Sequence, residues 1–92
     1  MLYVINCEDK PDSLEVRLAN REAHLIYLKN FQDHLIMAGP FLDAKEQPIG
    51  SMLIMDFANE RIATDFSAGD PYYLAGLFQS VTIRPWRKTL PA

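Results

Sequence analysis

The stretch DSLEVRLANREAHLIYLKNFQDHL, Asp12 to Leu35, is the only long segment of this chain with a sustained helical apolar period. Leu14, Leu18, Leu25, Leu28 and Gln32 follow at helical spacing and fall within roughly 80° of one another at ~100° per residue. All but the glutamine build one apolar stripe. Asp12 and Ser13, just after Pro11, are natural N-caps, and no glycine or proline interrupts the segment from there to Leu35. Arg17, Arg21 and His24 line up beside the stripe rather than opposite it. On a wheel centred on Leu14, His24 sits about 80° away, with Phe31 and Tyr27 beyond. The expectation is a helix packed on a sheet, with His24 half sheltered at the border of the interface.

The rest of the chain supplies the sheet. Leu2 to Cys7 reads as a strand apolar on both faces, closed by Glu8-Asp9-Lys10-Pro11. Leu35 to Ala38 and Phe41-Leu42 form a second run that bends at Gly39-Pro40 or lies at an edge there, because proline cannot donate to a central ladder. Asp43 to Gly50 reads as a loop and Ser51 to Phe57 as a third strand, completing a hairpin. Asn59 caps a second helix that Gly69 stops. Asp70-Pro71 restarts helical structure for a turn or two, with Asp as cap and Pro in the first position. Gln79 to Arg84 is a fourth strand ended by Pro85, and residues 86–92 form a loose tail.

Strand, helix, strand, strand, helix, strand is the split βαβ plan. It predicts one α+β domain over residues 1–92, a four-stranded antiparallel sheet with both helices on one face. Helices can cover only that face. Yet Tyr3, Ile5 and Cys7 alternate with Leu2 and Val4, and Met52 and Ile54 alternate with Leu53, Met55 and Phe57. A second copy packed sheet to sheet would cover the apolar side left open, so a homodimer is expected.

Composition narrows the function. A net charge of −3 without a basic run argues against nucleic acid as partner. No apolar run reaches the ~18 residues of a membrane span, and the start lacks a basic region and a cleavage site. One cysteine makes no internal disulfide, which suits a reducing cytoplasm. Cys7, Asp33 and His34 lack metal-ligand spacing, so neither a metal nor another cofactor is expected.

The candidate chemistry rests on a few side chains. His24 is a proton-transfer group, and Arg17 and Arg21 beside it are cations able to hold a carboxylate or enolate. A histidine at a helix border is also an ordinary packing residue, and flanking arginines commonly lay their stems over apolar surface. Asp70 is explained as a helix cap alone. Its functional role requires that it accept a hydrogen bond from a ring N–H of His24.

These residues also carry a resemblance. Arg21-Glu22-Ala23-His24-Leu25, Ala38-Gly39-Pro40-Phe41, Gly50-Ser51, Asp70-Pro71-Tyr72 and Val81 to Trp86 resemble, in order and spacing, the YciI-like (YCII-related) family of small bacterial proteins. The resemblance implies a ferredoxin-like fold and a dimer formed through the sheets, as in the dimeric α/β barrels. It also implies a His–Asp pair at a cleft, which falls on His24 and Asp70. Arg17, Arg21, Pro40, Ser51 and Tyr72 are the candidate substrate-binding residues. Broader relatives include muconolactone isomerase-like enzymes and a dehydrochlorinase of chlorinated hydroxyquinols. This chain differs in having Tyr72 where phenylalanine is common and in a compact loop between its second and third strands. The combined expectation is a cofactor-free acid–base enzyme, of lyase or isomerase type, acting on a small oxygenated molecule. The rival is a non-catalytic dimeric module that binds a metabolite or docks to a larger enzyme.

Overall fold

A computed structural model describes residues 1–92. Its elements are β1 (Leu2–Asp9), α1 (Leu14–Asn30), β2 (Leu35–Leu42), β3 (Pro48–Asp56), α2 (Glu60–Ala68), α3 (Pro71–Leu74) and β4 (Phe78–Trp86). The strands form one antiparallel sheet in the order β2-β3-β1-β4. This is the ferredoxin-like βαββαβ arrangement. No helix is long and apolar enough to cross a membrane.

Register decides what each face carries. Ile5 lies opposite both Leu53 and Ile83, and Tyr3 opposite Met55, so these side chains share the helix-covered face. There they meet Leu28 of α1 and Ala63 and Phe66 of α2 in the core. Tyr27, Phe31, Phe57 and Phe66 close one end of it as an aromatic cluster with centroids 4.9–6.4 Å apart. The opposite face carries Val4 beside Ile54, and Asn6 between Met52 and Thr82. On that face Ile54 is buried, Val4 and Met52 are half-buried, and Met37 and Trp86 stand at its edges, 54% and 41% exposed.

Several expected boundaries move. Asp12 has φ +56° and belongs to the turn before α1, while Ser13 takes the N-cap position. The Ser13 hydroxyl donates to the Pro11 carbonyl and makes no cap bond. The helix stops at Asn30, and residues 31–34 form a turn of short-range backbone bonds. β3 begins at Pro48, three residues earlier than expected, because Asp43 Oδ1 accepts from the Lys45 and Gln47 amides and tightens the hairpin tip. β2 runs straight through Gly39-Pro40, as an edge strand can. Pro85 likewise does not end β4, the other edge strand, where one side needs no donors. Trp86 is the last residue of β4, opposite Leu2, so the exposed tail begins at Arg87 rather than at Trp86.

The larger correction concerns the face α1 presents. Its buried residues are Arg17, His24 and Leu28, whereas Leu18 is 57% and Leu25 39% exposed. The helix is turned by roughly 80° from the leucine stripe, so that the line through His24 points inward. Two causes are visible. Tyr27 and Phe31 draw that side onto the aromatic cluster. Arg17 and His24 each find an acid inside, which removes the cost of burying them.

Candidate functional site

His24 is only 7% exposed, and its Nδ1 lies 2.9 and 3.0 Å from the two carboxylate oxygens of Asp70. Asp70 is held from three directions. Gly69 ends α2, and a Cβ there would come within 2.6 Å of the Tyr27 hydroxyl oxygen, so only glycine allows this approach. That hydroxyl donates to the Phe66 carbonyl and fixes the turn from the other side. Asp70 Oδ1 then accepts the Tyr72 amide at 2.9 Å as N-cap of α3. One carboxylate therefore caps a helix and bonds the imidazole. With Asp70 ionised, Nδ1 carries the proton, and Nε2 is left for a ligand.

Tyr72 lies under the imidazole, ring centroids 4.0 Å apart and planes within 16°. The Arg17 guanidinium sits 4.7 Å from the Tyr72 ring centroid. Burial pushes the Tyr72 phenol above its ordinary pKa, against the pull of Arg17 and Arg21, so it stays protonated at neutral pH.

Arg17 does not reach outward. Its Nε and Nη2 donate to Asp9 at 2.7 and 2.8 Å, and Nη2 also donates to Ser51 Oγ at 2.9 Å. Burial favours the neutral guanidine, but the Asp9 hydrogen bonds and charge prevail and hold its pKa above the ordinary value. Arg17 thus ties α1 to β1 and β3 as a satisfied bidentate pair. Arg21 is exposed and forms no ion pair. The two expected cations divide into a buried strut and an available charge.

Between α1 and β2 lies a cavity of about 280 Å³. Arg17, Arg21, His24, Pro40, Ser51 and Tyr72 all line it, with Leu18, Leu25, Leu28 and Leu53 as its apolar wall. Asp70 stands behind His24 and is not part of the lining. The rotation of α1 explains the wall: the leucines that do not enter the core face the gap over the edge strand. A larger depression of about 630 Å³ lies at the Asp9–Ser13 turn and the β2–β3 hairpin, and His24 does not reach it. Asp9 was not foreseen. In Glu8-Asp9-Lys10-Pro11 it reads as a solvated turn residue, and no sequence signal marks it as the partner of Arg17.

The YCII-related domain model matches residues 1–87. The chain belongs to the YCII-related family. A Haemophilus influenzae member described as an uncharacterized protein is 42% identical over 97 residues, covering 96% of this chain and 98% of the relative. Protein YciI of Escherichia coli O6:H1 is 38% identical over 96 residues, with the same coverage. Among solved structures, the YCII-related chain is similar to 5-chloro-2-hydroxyhydroquinone dehydrochlorinase (TftG) from Burkholderia phenoliruptrix AC1100, in complex with 2,5-dihydroxybenzoquinone. The TM-score is 0.92 and the identity 34%, over 97% of this chain and 96% of that one.

Proposed function

We propose that this YCII-related chain is a small acid–base enzyme of lyase or isomerase type whose substrate is a small oxygenated molecule. The observation that carries it is the His24–Asp70 pair beside a walled cavity. Nδ1 is fixed by a buried carboxylate, so Nε2 is the nitrogen that can take a substrate proton. As that proton moves to Nε2, its electron pair passes toward a neighbouring oxygen, and the imidazolium formed is stabilised by Asp70. Arg21 at the rim offers the charge that such an enolate or phenolate needs. The likeness to a dehydrochlorinase supports this assignment, since loss of HCl from a hydroxylated ring requires a base and a stabilised oxyanion. We further propose that the active species is a homodimer joined through the open sheet face.

The test is direct. The purified protein is incubated with 5-chloro-2-hydroxyhydroquinone, and chloride release and the quinone absorbance are followed. Chloride release should fall by ~10²-fold or more in His24→Ala. In Asp70→Asn it should also fall, with the α3 cap kept, because asparagine caps about as well as aspartate. If the wild-type protein binds 2,5-dihydroxybenzoquinone but turns over neither this compound nor other chlorinated hydroxyquinols, the binding module replaces the enzyme.

A further inference from the structure

We infer that the Tyr72 hydroxyl, together with Arg21, forms an oxyanion-binding pair that selects planar, anionic, ring-oxygenated substrates and sets them against His24. This deepens the acid–base assignment and rests on it.

The inference begins with an unanswered donor. Tyr72 is 2% exposed, yet no protein group accepts its phenolic proton; its own amide is the part bonded to Asp70. The one side-chain oxygen that is both sealed and unpaired in this chain is Asn6 Oδ1, so the Tyr72 oxygen is not sealed. Tyr72 lines the cavity, which is where its hydroxyl can find a partner. The charged groups that act on it there are Arg17, Arg21 and Asp70. Guanidinium groups only donate. Both oxygens of Asp70 are engaged by His24, and Oδ1 also takes the Tyr72 amide. Nε2 of His24 is a free acceptor, but its ring lies stacked on that of Tyr72 and so is poorly placed to take the in-plane phenolic proton. The charged groups around the phenol offer it no other acceptor, and a ligand can bring one. An anionic oxygen satisfies the phenol and Arg21 together, at charge-assisted strength.

The shape follows from the walls. Leu18, Leu25, Leu28 and Leu53 bound the space on the apolar side, and Pro40 and Ala38 of β2 face them. A cavity of about 280 Å³ with such walls suits a single six-membered ring rather than an extended chain. Arg17 is excluded from direct recognition by its bonds to Asp9 and Ser51. It acts as a positioning residue, with its guanidinium 4.7 Å from the Tyr72 ring centroid, beside the imidazole stacked on that ring.

Tyrosine to phenylalanine isolates the hydroxyl, because the ring stack and the buried volume survive. The experiment measures binding of the anionic probe 2,5-dihydroxybenzoquinone and of its neutral 2,5-dimethoxy analogue to wild type, Tyr72→Phe and Arg21→Gln, with thermal melts as a check on folding. Wild type should bind the anionic probe more tightly than the neutral one. Tyr72→Phe and Arg21→Gln should each weaken the anionic probe by about tenfold or more and leave the neutral analogue within about twofold. A folded Tyr72→Phe that binds the anionic probe as wild type does overturns the inference and leaves the His24–Asp70 assignment standing. Equal affinity of wild type for both probes, or for neither, overturns the anionic substrate class. The acid–base assignment then stands or falls on the ring tautomer of His24, read from its nitrogen chemical shifts in wild type and Asp70→Asn.

Discussion

Cys7 carries the chemistry this molecule keeps switched off. It is 2% exposed in the middle of β1, packed with Ile5 and Leu53. Burial, then the charge of Asp70, push its thiol up to about 12; Arg17 pulls back and Asp9 adds a smaller push. The thiol is thus protonated at any physiological pH, and the native protein should not react with a thiol reagent at pH 8 until urea unfolds it. The same shift has a stability signature. The unfolded thiol ionises from its ordinary value of 9.0, while the folded one holds its proton to about 12. Its contribution is fully present below pH 9 and is lost as pH rises toward 12, by at most about 1.4 kcal/mol per pH unit. Urea unfolding between pH 8 and 11 should show this alkaline loss. Cys7→Ala should flatten it, and an unchanged pH slope in that variant would assign the loss to other groups, Tyr72 and Tyr27 first, since both phenols are raised by burial.

Among the elements, the hairpin of β2 and β3 offers two glycines that read alike in sequence and differ in space. A Cβ on Gly50 would stand 2.5 Å from the Cys7 carbonyl oxygen, a backbone atom that cannot swing away. On Gly39 it would meet nothing within 4 Å. Gly50→Ala should therefore cost about 2 kcal/mol or more and Gly39→Ala close to nothing, a contrast that urea midpoints will read. The succession of strands and helices, the hairpin, the Asn59 and Asp70 caps and the stop at Gly69 were all legible, because each is written in local chemistry: alternation, a cap oxygen, a proline, a glycine. The face of α1 was not. Periodicity reports where leucines cluster, and burying the leucine stripe is the rule when polar residues lack partners inside. Here Arg17 and His24 have partners eight and forty-six residues away, Asp9 and Asp70. Pairing over such separations leaves no local mark, so Leu18 and Leu25 looked like core and are cavity wall. His24 and Asp70 could each be named from the sequence, but their contact could not.

For the whole molecule, the open face of the sheet is where the proposed homodimer is tested. Val4, Met52 and Ile54 form its apolar centre, and Asn6 Oδ1 lies buried among them without a hydrogen bond. A homodimer through this face should give twice the chain mass in light scattering at micromolar concentration. Ile54→Asp should split or unfold it, since an unpaired buried charge costs several kcal/mol. A monodisperse monomer in the wild type would remove the sheet-to-sheet arrangement. β3 carries Ser51 toward Arg17, Met52 toward the open face, Leu53 into the cavity wall and Ile54 outward again. The cavity side and the open face are thus written on alternate letters of one strand. Deleting a single residue within it would exchange the two scripts, placing a serine on the open face and a methionine against the arginine. An added or deleted residue should therefore be tolerated at the hairpin tip, residues 43–47, and in the tail, where no such alternation is at stake.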